Sequence, residues 1–208
     1  MSALRIIFED FHLIAADKPA GQLVIPARGR AQGEPLVEQV SRHIHKKAYV
    51  VHRIDRETSG LVVFAKDAKA HRGLCALWES REVQKTYLAW VQGRLDKKEG
   101  LLDYPLKTFG SGKIGVDPKG KPSQTRYRTL KTQGGVSLLE IEPLTGRRHQ
   151  IRVHLYHAGH PVLGDPLYGQ ERPVGGVSRL LLHAYRLQLT YQGEPLTLAC
   201  DPPAAFHL

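Results

Sequence analysis

The sequence predicts an α+β fold, a mixed and mainly antiparallel sheet flanked by helices and loops. The first observation is that stretches of alternating apolar and polar residues come in pairs joined by glycine-containing turns. The second is that segments with helical spacing of apolar residues are inserted between strands. The third is size, because 208 residues with a hydrophobic fraction of 41% can bury one core. We therefore expect a single domain over residues 1–208, either undivided or with two lobes.

The first half of the chain begins with strands and continues with inserted helices. Pro35 suits the first turn of a helix, because a backbone N–H is not needed there. Asp67 is a typical N-cap, because its carboxylate can accept hydrogen bonds from the first helical turn. The predicted elements are strands at 5–9 and 12–17, a loop rich in Pro, Gly and Arg at 26–33, a helix at 34–46, a strand at 61–65 and a helix at about 67–81.

The second half of the chain is dominated by strands. A strand at 85–91 would place Tyr87, Ala89 and Val91 on one face, because successive side chains of a strand alternate between faces. Thr145 is expected to cap a helix and Gly159 to close it. The remaining predicted elements are a strand around 101–108, a mobile basic loop around 113–121, a hairpin of 124–132 and 136–142, a helix at about 146–158 and strands at 180–191 and 195–200.

The charge of the chain favours a polyanionic partner. It has 30 Lys and Arg residues against 20 Asp and Glu residues, a formal net charge of +10. Nucleic acid is the simplest such partner, although a basic protein without one remains an alternative. The two cysteines, Cys75 and Cys200, argue against a disulfide framework or a cysteine zinc site. We expect a soluble, cytoplasmic protein, because the sequence begins without a signal peptide and contains no apolar run of about 20 residues.

The segment His52-Arg53-Ile54-Asp55-Arg56-Glu57-Thr58-Ser59-Gly60 holds the strongest catalytic candidate. It is directly followed by an apolar run at 61–65, so it reads as a loop presented by a buried strand. Two guanidinium groups flank Asp55, and nearby positive charge favours the ionised carboxylate. An Asp that only stabilises a turn is the alternative. We predict that Asp55 carries the chemistry.

Tyr87, in Lys85-Thr86-Tyr87, is the second candidate. A flat aromatic ring can stack on a nucleobase, and a phenol can also exchange a proton. By itself, a tyrosine packed in the core explains the same residue.

Cationic and imidazole side chains crowd the segment 144–155, the third candidate. Arg147, Arg148, His149 and Arg152 lie near a predicted helix N-terminus, where the helix dipole disfavours cations. This placement indicates anionic partners, although a solvated basic face is the alternative. On a helix, Arg148 and Arg152 would share one face, so that one could grip a phosphate while the other pairs with Asp55.

The sequence gives little support for a metal or a nucleotide cofactor. Four histidines, His149, His154, His157 and His160, match no zinc motif by their spacing. The segment 110–113, Gly-Ser-Gly-Lys, is only a fragment of a phosphate-binding loop. We expect neither a metal nor any other cofactor.

Five segments together resemble the RluA-type pseudouridine synthase family, and the resemblance covers essentially the whole chain. They are DKPAG at 17–21, HRIDRETSGLVVFAK at 52–66, KTYLAWVQG at 85–93, LTGRRHQIRVHL at 144–155 and HPVLGDPLYG at 160–169. The resemblance implies the pseudouridine synthase fold with a central catalytic cleft. It also implies that Asp55 is the catalytic aspartate, Tyr87 stacks on the target uracil, and Arg152 pairs with Asp55.

The resemblance further implies an enzyme that isomerises uridines in structured RNA, in large-subunit rRNA or the tRNA anticodon stem-loop or both. The target base would be flipped out, with Arg53 entering the vacated stack. Other expected RNA contacts come from Arg56, Arg147, Arg148 and His149. The chain looks like a short member without an N-terminal RNA-binding domain, and we expect a monomer. A non-catalytic RNA-binding or assembly factor, and a glycosidase or nuclease using Asp55 with Glu57, are the alternatives.

Overall fold

The computed structural model describes residues 3–26, 33–169 and 177–206. Two compact units are present, Met1–Lys85 with His183–Asp201 and Thr86–Leu182 with Pro202–Leu208. The expectation of one domain stays a prediction. Apart from a short 3-10 helix at Ala204–Phe206, the elements are β1 (Arg5–Glu9), β2 (Leu13–Lys18), α1 (Leu36–His43), β3 (Tyr49–Val50), β4 (Ser59–Ala65), α2 (Ala68–Glu79), β5 (Gln84–Gln92), β6 (Glu99–Asp103), β7 (Leu106–Thr108), β8 (Ile114–Val116), β9 (Gln124–Gln133), β10 (Val136–Pro143), α3 (Gln150–His157), β11 (Leu182–Tyr191) and β12 (Glu194–Ala199).

The first unit is built around β4. This strand is antiparallel to β2 and β3 and parallel to β11, while β1 pairs with β2 and β12 with β11. Every residue of β4 is buried, which explains its continuous apolar sequence. Helix α1 directs Leu36 and Val40 into a core that also contains Val62 and Phe64. Burial on all sides therefore makes β4 a rigid support for the residues that precede it.

The second unit contains four consecutive antiparallel neighbours, β5, β10, β9 and β6, and a separate β7–β8 hairpin. Its core joins Val91 of β5, Leu139 and Ile141 of β10 and Leu155 of α3. Trp90 is also buried, and its indole N–H donates to the carbonyl of Phe206 at 2.9 Å. The helix is thereby fixed against the strands by apolar packing.

Most predicted elements are present, with shifted ends. The strand and hairpin predictions at 5–9, 124–132 and 136–142 match β1, β9 and β10. Asp67 caps α2 as predicted, accepting a hydrogen bond from the backbone N–H of Ala70 at 2.8 Å. Helix α1 is shorter than predicted, because Pro35 has an extended ψ of 149° and is the N-cap itself.

Two predictions in the region between residues 99 and 121 were wrong. The single strand expected around 101–108 is two strands, β6 and β7, because Tyr104 and Pro105 interrupt it. The basic loop expected at 113–121 contains β8, which pairs with β7. Strand β3 was not predicted at all. The loop predicted at 26–33 lies mostly outside the described residues.

The helices of the described part of the chain are short. The longest, α2, has 12 residues. None of them combines the length and the apolar composition that crossing a membrane with a helix requires.

Candidate active site

The loop that carries Asp55 lies in the first unit, directly before β4. Asp55 is half-buried, and its backbone carbonyl accepts a hydrogen bond from the N–H of Thr58 at 3.2 Å. Arg56 anchors the other side of this turn to Gly21. The Gly21 N–H donates to the Arg56 carbonyl at 2.8 Å, and the Arg56 Nε donates back to the Gly21 carbonyl at 2.9 Å. Backbone hydrogen bonds therefore fix the position of the carboxylate that sequence reasoning singled out.

Lys18 holds the same loop through hydrogen bonds to backbone carbonyls. Its side chain is fully buried, and its ammonium donates to the carbonyls of Pro19, Gln22 and Arg56 at 2.8–2.9 Å. A buried ammonium is costly unless its protons are hydrogen-bonded, and here three carbonyl oxygens accept them. Lys18 thus joins the turn at 18–22 to the catalytic loop, a role that sequence reasoning missed.

A second buried contact holds the beginning of β4. His183 Nε2 lies 2.8 Å from the carbonyl of Cys200, and its Nδ1 lies 2.9 Å from the hydroxyl of Ser59. Because a carbonyl can only accept, Nε2 carries the proton and Nδ1 accepts from Ser59. Gly60 follows with a φ of +108°, and a Cβ there would lie 2.3 Å from the carbonyl oxygen of Ala184. Only glycine allows this close approach.

His52 contacts the backbone of β4 and an aromatic ring of α2. Its Nε2 accepts the backbone N–H of Val63 at 3.0 Å, and its ring stacks on Trp78 with centroids 4.8 Å apart. Burial, and to a smaller extent the charge of Lys85, lowers the pKa of His52 to about 3. The imidazole is therefore neutral near pH 7 and helps to hold the loop against β4.

The two arginines beside Asp55 are both exposed. Arg56 uses its Nε for Gly21, as described above. In the part of the chain that the structure describes, Arg53 forms no salt bridge, so its charge is available to an anionic partner. This agrees with the predicted RNA contact but does not test it.

Tyr87 lies in the second unit, on β5 and opposite Ile141 of β10. The predicted alternation is confirmed, because Tyr87 packs against the same core cluster as Ala89 and Val91. Tyr87 is half-buried, whereas the other two are fully buried. A ring fixed on one side by the core is suited to stacking, although a packing role explains the same contacts.

Arg152 forms a buried bidentate salt bridge with Asp165. Its Nε and Nη2 donate to the two carboxylate oxygens at 2.8 and 2.7 Å, and both side chains are fully buried. The guanidinium also lies 5.3 Å from the ring centroid of Tyr168. Burial acts to raise the pKa of Asp165, but the hydrogen bonds and charge of Arg152 outweigh it and lower that pKa. Sequence reasoning placed Asp165 only in a turn.

The start of α3 corrects two predictions. The helix begins at Gln150 and not near Gly146, because His149 adopts a left-handed conformation with φ 55°. Thr145 does not cap the helix; its hydroxyl accepts the backbone N–H of Gln124 at 3.0 Å and donates to the Gln150 side chain at 2.6 Å. Arg148 therefore precedes the helix, and the predicted common helical face with Arg152 was wrong.

The segment before α3 still exposes positive charge. Arg147 and Arg148 are exposed, while His149 is half-buried with its Nδ1 3.0 Å from the Tyr168 hydroxyl. The N–H of Ile114 donates to that hydroxyl at 3.3 Å, which leaves the phenol proton for His149. The predicted RNA-binding residues of this segment are consecutive and directly precede the helix.

Several of the remaining histidines serve the protein backbone. His154 Nε2 and His160 Nδ1 each lie 3.0 Å from a carbonyl, of Tyr104 and Gln92 respectively. Among the described residues, no three His, Cys, Asp or Glu side chains lie together as metal ligands.

The candidate residues divide between the units, with Asp55 in the first and Tyr87 and Arg152 in the second. Their joint action, and the pairing of Arg152 with Asp55, stay predictions. Sequence reasoning missed Lys18 and Asp165 as supports of these residues. The sequence did contain a signal for both residues. Lys18 and Asp165 each directly precede a proline and lie near a glycine, in segments with many apolar residues.

Comparison with known proteins gives consistent matches. A family model described as RNA pseudouridylate synthase matches residues 12–157. The chain is 39% identical to ribosomal large subunit pseudouridine synthase D of Nitrosomonas europaea, covering 96% of this chain and 62% of that protein. It is 35% identical to dual-specificity RNA pseudouridine synthase RluA of Yersinia pestis, covering 94% of this chain and 98% of that protein. The solved human RNA pseudouridylate synthase domain containing 4 superposes with a TM-score of 0.80 at 26% identity, covering 98% of this chain and 90% of that one.

Proposed function

Because this chain belongs to the RNA pseudouridylate synthase family, as a member of the RluA type, we propose that it isomerises uridine to pseudouridine in structured RNA. The observations that carry the proposal are the match to the RluA relative over 98% of that protein's length and the family match over residues 12–157, which include the Asp55 loop. The chain spans only 62% of the longer relative, so the proposed activity concerns the part that the two share.

The proposed substrate is large-subunit rRNA, the tRNA anticodon stem-loop, or both. One relative is named for the ribosomal large subunit, another for tRNA, and a third for dual specificity. The net charge of +10 supports a polyanionic substrate. Because both kinds of RNA are substrates in the cytoplasm, we also propose a cytoplasmic location. We further propose that the protein acts as a monomer and needs no metal.

In the proposed mechanism the target nucleotide leaves the helical stack and enters a pocket, since the base must be detached and turned. Arg53 fills the vacated stack, and Arg56, Arg147, Arg148 and His149 contact the phosphates. Tyr87 stacks on the extruded uracil. The exposure of Arg53, Arg147 and Arg148 supports these roles.

Asp55 acts at the ribose. Cleavage of the glycosidic bond builds positive charge on the sugar, and a carboxylate can attack the anomeric carbon or stabilise that charge. Alternatively, Asp55 assists loss of the neighbouring sugar proton. Uracil departs as a delocalised anion, so a second carboxylate such as Glu57 is not needed to protonate it.

Arg152 orients and ionises Asp55 in this proposal. A guanidinium has five N–H donors, so an arginine that binds Asp165 through two nitrogens can bind a second carboxylate as well. Asp165 would then hold Arg152 in place. After the base reattaches through carbon 5, Tyr87 or Asp55 through water removes the carbon-5 proton. The reaction is an isomerisation and involves no net electron transfer.

Tritium release from RNA that carries 5-tritiated uridine tests the proposal, because pseudouridine formation sends the carbon-5 hydrogen to water. The wild-type protein is expected to release tritium from a large-subunit rRNA or tRNA transcript. Asp55→Asn should lower the rate by about 10³-fold or more while RNA binding is retained, since the shape of the side chain is kept and its charge is lost. The matched control is Glu57→Gln, which should remain active.

Two outcomes would contradict this assignment. Continued release by Asp55→Asn would remove Asp55 from the chemistry. RNA binding by the wild type without release from either transcript would favour the alternative of a non-catalytic RNA-binding factor on the same fold.

A further inference from the structure

The β7–β8 hairpin, residues 106–116, has one side fixed to the second unit. Leu106 and Ile114 are buried in a cluster with Val153 of α3 and Tyr168. The N–H of Ile114 also donates to the Tyr168 hydroxyl. Because side chains alternate along each strand, Lys107 and Gly115 lie on the opposite face of the hairpin.

The opposite side of this hairpin presents an aromatic ring and cations. Lys107 is paired with Gly115 across the strands, so both lie on the same face. Phe109, the residue after β7, is 42% exposed, and the Lys107 ammonium lies 5.8 Å from its ring centroid. A Cβ at Gly115 would come within 2.9 Å of the Phe109 ring. Because Gly115 has no side chain, the Phe109 ring packs directly against the strand at this position. The strand supports the ring, and Phe109 is still exposed.

The charge around this ring is strongly positive. Residues 104–123 contain one carboxylate, Asp117, which pairs with Lys107 at 3.3 Å, and four lysines. Lys113, Lys119 and Lys121 are exposed and form no salt bridge with any carboxylate that the structure describes. The Lys113 ammonium lies 5.6 Å from the ring centroid of Tyr168, the residue that also contacts His149. Lys113 therefore lies near the positively charged segment before α3, since both contact Tyr168.

We propose that the β7–β8 hairpin is a binding site for single-stranded RNA, in which an unpaired base stacks on Phe109 and the surrounding lysines contact the flanking phosphates. Stacking on an aromatic ring combined with nearby cations is the chemistry that binds single-stranded nucleic acid without reading its sequence. The unpaired lysines favour a polyanion over an apolar protein partner. The inference rests on the proposed function for the kind of partner, and it adds a site separate from the predicted catalytic residues.

Fluorescence anisotropy with two probes tests the site, a fluorescein-labelled twelve-nucleotide oligouridine and a twelve-base-pair RNA duplex. All variants are made in the Asp55→Asn protein, so that turnover does not alter the probe. Phe109→Ala should raise the Kd for the oligouridine by about 5-fold or more, because a stacked base is lost, with less than about 2-fold change for the duplex. Phe109→Trp should retain the affinity. Phe11→Ala removes another exposed phenylalanine and is the matched control.

The cations are tested separately by the salt dependence of binding. Lys113→Gln leaves Phe109 in place and should reduce the slope of log Kd against log salt by about 0.7, as expected for one lost phosphate contact with a single strand. Lys97→Gln, which changes an exposed lysine outside the hairpin, should leave the slope unchanged.

Three results would overturn the site. They are oligouridine binding unaffected by Phe109→Ala, an equal loss for the duplex, and no oligouridine binding by the unsubstituted hairpin. Each is separate from the tritium assay, because binding is measured in a protein without turnover. Failure of tritium release with Phe109-dependent binding would reject the proposed activity and keep the site.

Discussion

Each unit buries a cation that belongs to the predicted site, Lys18 under the Asp55 loop in the first and Arg152 in the second, and the hydrogen bonds of the two differ. In the first unit, Lys18 donates to three neutral carbonyl oxygens. In the second, Arg152 donates to the ionised carboxylate of Asp165 through two hydrogen bonds. Both side chains are at most 1% exposed. These hydrogen bonds therefore reach different acceptors, carbonyl dipoles for Lys18 and a carboxylate for Arg152.

This difference predicts how each site responds to substitution. Removing the Lys18 ammonium leaves neutral carbonyl oxygens without the hydrogen bonds that they accept from it. Removing the charge of Asp165 takes away a carboxylate that accepts two hydrogen bonds from the buried guanidinium of Arg152. Losing an opposite charge beside a buried ion costs more than leaving neutral groups unsatisfied. We therefore expect the ion pair to be the more sensitive of the two sites, although the Lys18 site has more hydrogen bonds.

The largest effect is expected for Asp165→Asn. It keeps the size of the side chain and removes the charge that compensates Arg152, so the free energy of unfolding should fall by about 3–5 kcal/mol. Urea unfolding followed by circular dichroism measures this change. The control is Glu140→Gln, which breaks the exposed pair with Arg128 and should cost less than about 1 kcal/mol. Equal effects of the two substitutions would show that burial does not decide the strength of the Arg152 pair.

Lys18→Met should have an intermediate effect. The apolar chain of methionine fills most of the same volume, but the carbonyls of Pro19 and Gln22 each lose a donor. The carbonyl of Arg56 keeps the N–H of Gly21. We expect a loss of about 2–3 kcal/mol in urea unfolding, because two neutral carbonyls are left unsatisfied at the lower end of the cost of about 1–3 kcal/mol for each such group. A larger loss than that of Asp165→Asn would reverse the comparison.

Local signals in the sequence were sufficient for most of the elements. Asp67 caps α2, and the hairpin of β9 and β10 turns at Gly134-Gly135, because turn and cap preferences act over a few residues. The charge pattern around Asp55 is equally local. These features could be predicted without knowing which segments meet.

The supports of the site could not be predicted in the same way. Lys18 contacts Arg56, 38 residues away, and His183 contacts Ser59, 124 residues away. The helix start at Gln150 depends on the left-handed conformation of His149, a state that is uncommon for residues other than glycine. Such features depend on tertiary partners, which periodicity and composition do not identify.

The smallest effect concerns His52, a half-buried residue that forms no salt bridge among the described residues, and it appears as a dependence on pH. The pKa of His52 is lowered to about 3 in the folded protein, against about 6.5 for an unperturbed histidine. The unfolded chain therefore binds the proton more readily, and stability that is present above pH 6.5 is lost as the pH falls towards 3. At pH 5 the loss should be about 1–2 kcal/mol, because each pH unit below 6.5 contributes at most about 1.4 kcal/mol.

Urea unfolding of the wild type and of His52→Gln at pH 7 and pH 5 isolates this contribution, since glutamine can still accept the N–H of Val63 and does not titrate. The wild type should lose more stability between the two pH values than the variant. An identical loss in both proteins would mean that the folded protein binds a proton at His52 as readily as the unfolded chain does. Burial of the imidazole would then not lower its pKa.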